Sequence, residues 1–144
     1  MFTTLALDGK PLPVYASSAN RREWLHVDDH CVAIERVLLD GRDGATYNVG
    51  SGVEVSVAEL AARILDQLDL PHTLIETVPD RPGHDRRYLL DSSRLRTELG
   101  WAPTVDFAQG LAETVAWYAA HRHWWQPLRQ RAAIDENAWT AAGR

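Results

Sequence analysis

Ser56 and Glu59 stand three residues apart at the head of an apolar run, Val57, Leu60, Ala61, Ile64 and Leu68. No other feature constrains the fold so tightly. A serine followed three residues on by a glutamate is a capping box, in which the hydroxyl accepts from a backbone N–H that would otherwise lack a partner. The apolar residues recur at helical spacing, so the segment predicts an amphipathic helix with a defined start and one face to bury. Its cover must come from β-branched or apolar stretches elsewhere. "PLPVY" (11–15), "EWLHV" (23–27), "ATYNVGS" (45–51) and "HTLIETV" (72–78) all read as extended segments.

The remaining punctuation adds helices. "FTTLALDGK" reads as the last turns of a helix closed by Gly9, with no start signal of its own, as though the chain begins inside an element. Asp28 or Asp29 can cap a helix carrying Ile34, Val37 and Leu38, and Asp91 a short one carrying Leu95 and Leu99 and stopped by Gly100. Phe107, Leu111, Val115 and Tyr118 mark one face of a last long helix. The tail from residue 126 to 144 is weakly periodic. The expected class is mixed α/β, rich in helix, with one domain over residues 1–125 and a tail over 126–144.

Composition narrows the function classes. With 45% hydrophobic and 24% charged residues the chain is globular in type. A pI near 5.6 argues against nucleic acid, which selects a basic face. No run approaches the ~20 apolar residues of a membrane span, and the N-terminus lacks the pattern of a signal peptide. The single cysteine, Cys31, lies in an apolar run and is expected to be buried; with no second cysteine, a cytoplasmic location is expected. The six histidines offer no metal-ligand spacing: His121 and His123 point to different helix faces.

Against a formal net charge of -5, the stretch "DRPGHDRRY" (80–88) gathers Arg81, His84, Arg86 and Arg87 around a Pro82-Gly83 turn. Arginine's planar fork suits phosphate, and a Pro-Gly turn lets backbone come close to a ligand. From charge alone the stretch is either an anion site or a solvated loop of local Arg–Asp pairs. "NRREW" (20–24), with Arg21 and Arg22, poses the same alternative. The sequence contains no Gly-x-Gly-x-x-Gly and no Tyr-x-x-x-Lys, its one lysine being Lys10. The glycine fingerprint for a dinucleotide and the lysine-tuned tyrosine of a dehydrogenase are thus both absent from these residues.

Placed end to end, "GKPLPVY", Arg22, "WLHVDDH", "TYNVGSG", "DRPGHDRRYLLD", "ELGW-P" and "F--GLAETVAWY" resemble the C-terminal half of the dTDP-glucose 4,6-dehydratases. These belong to the extended short-chain dehydrogenase/reductase superfamily. The resemblance runs from about residue 5 to residue 125. "RPGHDRRY", with Trp124 and Trp125, is its narrowest part. It implies a small substrate-binding lobe without the Rossmann domain, and a nucleotide-sugar, dTDP-glucose-like, as ligand. The implied contacts are Pro13, Val14 and Tyr15 around base and ribose, and Arg22 and Arg81 on the diphosphate. Pro82, Gly83 and His84 would shape the pocket, and Ser56 stands where the family often has asparagine. "ASSAN" and "HVDDH" depart from the family's usual "GKG"-like turn and "YVDDH".

The resemblance implies no cofactor in this chain. In the full-length family, NAD, which takes up and returns the hydride of a sugar dehydration, belongs to the other half. Three functions are open: a truncated lobe inactive alone, one half of a split dehydratase or epimerase completed by an NAD-binding partner chain, or a non-catalytic sensing module. An uncovered apolar face around residues 1–8, open to that partner or to self-association, is a further expectation.

Overall fold

The computed structural model describes residues 1–17, 19–80, 82–83 and 85–131, the last two of these by backbone alone. Helix α1 (Phe2–Leu7) ends as Gly9 predicts. Gly9 adopts φ +64°, its N–H donates to Ala6 O, and Lys10 N–H donates to Leu5 O. Those two bonds define a Schellman close, which needs a residue tolerant of left-handed backbone. Strand β1 (Leu12–Tyr15) follows and pairs in parallel with β4 (Ile75–Val78), far along the chain. Only the second part of "HTLIETV" is strand; residues His72–Leu74 form a 3₁₀ turn.

The capped helix is α3 (Val57–Gln67), with Ser56 Oγ accepting from Glu59 N–H at 3.1 Å. The reciprocal half of the box is not used: the Glu59 carboxylate turns to Arg63, 2.7 Å away. Leu60, Ala61, Ile64 and Leu65 form the buried face and meet Leu5, Ala6, Leu12, Val14 and Val115 in the main core. Helix α5 (Phe107–Ala120) supplies Val115, and it starts where Asp106 accepts from Ala108 N–H and Gln109 N–H. Helix α6 (Arg122–Arg131) runs across the boundary expected at residue 126. Its Arg122 and Arg129 reach back to Asp8 and to carbonyls of α1.

Helix α2 (Val27–Asp40) departs most from expectation. Its N-cap is His26, whose Nδ1 accepts from Asp28 N–H; Asp28 and Asp29 lie in the first turn. The stripe turned inward is Asp29, Ala33 and Val37. Ile34 is 54% exposed and Leu38 81%, and Cys31 is exposed rather than buried. Helical spacing identified an apolar stripe correctly, but not which stripe the rest of the chain covers. Helix α2 thus leaves an apolar stripe uncovered, Ile34, Leu38 and Leu39, with Val27 exposed at its start. Around residues 1–8, Thr3, Leu5 and Ala6 are buried, while Met1 is exposed and lines an open apolar groove with Phe2, Trp117 and Trp124.

"ATYNVGS" likewise keeps the alternation of a strand, with residues 45, 47 and 49 half-buried and 46 and 48 exposed. It forms no strand, because a strand is defined by its partner and none of the described residues pairs with it. Tyr47 and Val49 pack instead on a second cluster, Ala33, Leu95 and Trp101. Leu95 comes from α4 (Ser93–Leu99), stopped by Gly100 at φ +63°. Ser92 is its N-cap, while Asp91 Oδ1 accepts from Ser93 N–H at 2.9 Å from one position earlier.

Buried Asp29, 3% exposed, joins α2 to the segment leading into α5. Its carboxylate accepts from Thr104 N–H at 2.9 Å, Thr104 Oγ1 at 2.8 Å and Val105 N–H at 3.0 Å. Burial by itself would raise its pKa; the bonds to Thr104 and Val105 outweigh burial and hold it below the ordinary value. Asp29→Ala should cost about 2–4 kcal/mol in urea unfolding, since three donors lose their acceptor. A native pKa below the unfolded one stabilises the protein above pH ~4, and that contribution is lost as pH falls through the native value. The parent should therefore lose stability on acidification below pH ~4 more steeply than Asp29→Asn. Parallel pH profiles for the two would contradict this role.

Candidate functional site

Period-2 alternation along β1 builds one wall of the site. Leu12 and Val14 are in the core, while Pro13 and Tyr15 face a groove of about 1350 Å³. Val14 is 2% exposed and is not among the groove-lining residues. The groove floor is apolar, with Phe2, Leu60, Ile64, Phe107 and Trp117 among its residues, and Arg22 stands at its edge. Such a surface suits a ligand with a flat apolar part and an anionic part.

Arg22 is placed by β2 (Arg21–Glu23), which pairs antiparallel with β3 (Glu54–Ser56). The other edge of β2 carries the end of the cationic loop. Arg21 N–H donates to Arg86 O at 2.9 Å, and Tyr88 N–H donates to Arg21 O at 3.3 Å. The middle residue of the strand, Arg22, donates from its guanidinium to Asp85 O and to Arg21 O, both at 2.8 Å. It also lies over the Tyr88 ring, 4.8 Å from the centroid.

The acids of the loop serve as staples. Asp80 Oδ1 accepts from both the N–H and the hydroxyl of Ser17, at 2.8 and 2.7 Å, which ties the loop start to the turn after β1. Asp85 accepts from the Tyr88 hydroxyl. Arg87 makes a two-pronged pair with Glu54 at 2.6 and 2.7 Å, and that bond holds the Glu54 carboxyl below its ordinary range. Glu23 braces the other side, accepting from Gly52 N–H at 2.6 Å and Leu90 N–H at 3.0 Å. A Cβ on Gly50 would lie 2.6 Å from Glu23 Oε1 and would push this carboxylate off its donors.

Pro13, Tyr15 and Arg22 thus meet at one groove. Pro82 and Gly83 form an exposed turn in the stapled loop, Gly83 at φ +71°, and are not among the groove-lining residues. Ser56 has its oxygen committed to the cap of α3. Arg81 and His84 lie outside the described residues. Trp24 and His26 were not assigned roles from sequence; Tyr88, whose hydroxyl the loop sequence offers as a ligand contact, gives it here to Asp85. Trp24 and His26 line the groove, and Tyr88 sits beneath Arg22. Their signal was the alternation of residues 22, 24 and 26 beyond the strand, which points one set of side chains to the same side. Among the described residues no cluster of His, Cys, Asp or Glu could hold a metal, and no helix is long and apolar enough to cross a membrane.

Comparison with known proteins agrees with this geometry. The family model described as GDP-mannose 4,6 dehydratase matches residues 1–114. The dTDP-glucose 4,6-dehydratase of Streptomyces niveus is 53% identical over 129 residues, covering 90% of this chain and 38% of that enzyme. The solved structure of DesIV, the dTDP-glucose 4,6-dehydratase of Streptomyces venezuelae with NAD bound, superposes with a TM-score of 0.84 at 49% identity. It covers 88% of this chain and 39% of DesIV. The Bordetella bronchiseptica enzyme WbmF, solved with NAD+ and UDP, gives 0.73 at 27% identity over 90% of this chain and 38% of WbmF. The chain therefore spans about two fifths of the length of the relatives it matches. With a family match that runs from α1 into α5 and takes in β1, β2 and the 80–88 loop, the chain belongs to the GDP-mannose 4,6-dehydratase family.

Proposed function

We propose that these residues form the part of a dTDP-glucose 4,6-dehydratase-like enzyme that grips the diphosphate of a nucleotide-sugar. The observation that carries this reading is the placement of Arg22, held at the edge of an apolar groove beside Pro13 and Tyr15. An arginine in a fixed orientation donates two parallel bonds to phosphate oxygens, and the apolar floor beside it suits a base and ribose. Pro13, Val14 and Tyr15 contact base and ribose, Val14 through its backbone. Arg81 shares the diphosphate with Arg22, and Pro82, Gly83 and His84 shape the phosphate and sugar end. Ser56 contributes at most its hydroxyl hydrogen, since its oxygen caps α3.

Chemistry at the sugar needs residues these 144 do not include. Relatives solved with NAD bound are more than twice as long, and neither the glycine fingerprint nor a Tyr-x-x-x-Lys pair occurs here. A split enzyme, completed by an NAD-binding partner chain, is favoured by one specific observation. Helix α2 exposes Ile34, Leu38 and Leu39, and residues 45–49 are extended with no strand partner among the described residues. Self-association through the same face is the competing outcome in a sedimentation experiment.

Two outcomes follow. Incubated with NAD and dTDP-glucose, the 144-residue chain alone should yield no 4-keto-6-deoxy sugar and should not retain NAD in equilibrium dialysis; turnover by the pure chain would refute the proposed division of labour. In an NMR titration it should bind dTDP weakly, with Kd around 1 mM, or ~4 kcal/mol, because the groove is open on one side. Arg22→Ala and Arg81→Ala should each remove about 1.5–3 kcal/mol of charge-assisted bonding and take binding out of range. Arg86→Ala should bind as the parent does. If all three variants bind alike, the cationic stretch is a solvated loop.

A further inference from the structure

We propose that Tyr88 is a positioning residue for Arg22, a role that rests on the reading of Arg22 as a diphosphate ligand and adds the device that keeps it aimed. An arginine on a surface strand has four rotatable side-chain bonds and gives up about 2 kcal/mol of rotamer freedom when a ligand immobilises it. That loss is avoided where the guanidinium is already fixed in the unliganded protein. Among the described residues, three contacts help to fix it. The Asp85 and Arg21 carbonyls take one N–H from each terminal nitrogen, and the Tyr88 ring supports the guanidinium plane at 4.8 Å.

The ring is itself held at both ends. Tyr88 N–H donates to Arg21 O, the carbonyl that also accepts from Arg22, and its hydroxyl donates to the Asp85 carboxylate. Asp85 therefore serves twice, binding Arg22 through its carbonyl and Tyr88 through its side chain. Residues 21, 22, 85 and 88 close a ring of contacts between β2 and the loop. Tyr88 is 51% exposed, so its contribution is local rather than part of the core. The ring face carries partial negative charge and holds a guanidinium without neutralising it, whereas a carboxylate in the same place would compete with the phosphates.

The test compares Tyr88→Leu, Tyr88→Phe and Arg22→Ala in the full chain, with dTDP as the probe and the Arg22 Nε–Hε resonance as a second readout. Tyr88→Leu should weaken dTDP binding about five- to tenfold, within the range of a cation–π contact, and shift the Arg22 Nε–Hε signal downfield as the ring current is lost. Tyr88→Phe keeps the ring and should restore both to within about twofold of the parent, an outcome a general structural role would not give. Parental binding by a folded Tyr88→Leu, alongside lost binding in Arg22→Ala, overturns the positioning role alone. Parental binding by Arg22→Ala overturns the diphosphate reading and with it the purpose assigned to Tyr88.

Discussion

Strand β2 is three residues long, yet it is hydrogen-bonded along both edges, to β3 on one side and to residues 86–88 on the other. The site depends on that double pairing. A strand paired on both edges cannot slip by one residue without exchanging its two faces. The register Arg21↔Ser56, Arg22↔Val55, Glu23↔Glu54 therefore decides which arginine faces the groove and which faces the Glu54 side. Arg21 donates to Glu54 O and Arg87 pairs with the Glu54 carboxylate. Arg21 thereby ties the two strands together and Arg87 ties the loop to them, while Arg22 lines the groove and bonds Asp85 O of the loop. The acids of "DRPGHDRRY" act in the same way, with Asp80 on Ser17 and Asp85 on Tyr88.

Beneath this assembly the chain has two clusters rather than one, bridged by polar contacts. The main core gathers α1, β1, α3 and α5, and the second gathers α2, α4 and Trp101. Asp29 and the Trp101 indole, which donates to Asp29 O at 3.1 Å, tie α2 to the approach to α5. Trp24 donates to Val55 O and packs on the main core, linking β2 to β3 from below. The second cluster is thin, and its exposed neighbours Ile34, Leu38 and Leu39 lie on the outer face of α2. A helix with an apolar outer stripe is what a partner surface requires.

Local signals were the legible part of the sequence. Gly9, Ser56 and Gly100 end or begin helices as their chemistry dictates, because a cap is a contact within a few residues. Long-range facts were not legible in that way. Whether Ile34 or Ala33 is buried, and whether residues 45–49 find a strand partner, depends on what packs from elsewhere. His26 replaced Asp28 and Asp29 as the cap of α2 because Asp29 is drawn inward by Thr104 and Val105, seventy-five residues away. At the site, charge and turn residues marked the 80–88 loop as the candidate but could not sort its arginines. Sorting them needed the register of β2 and the position of Glu54, both tertiary facts.

The central claim is that a nucleoside diphosphate sits in the groove beside Arg22 and under the 80–88 loop. The most direct measurement is a backbone amide shift map of the ¹⁵N-labelled chain with dTDP, set against the same map with thymidine. With dTDP, the account predicts shifts concentrated at Val14, Tyr15, Arg22, Gly83 and Asp85. With thymidine, those at Arg22, Gly83 and Asp85 should vanish, because the phosphates that cause them are gone. Shifts from dTDP that avoid β1, β2 and the loop, or that match those from thymidine at Arg22 and Gly83, would contradict it.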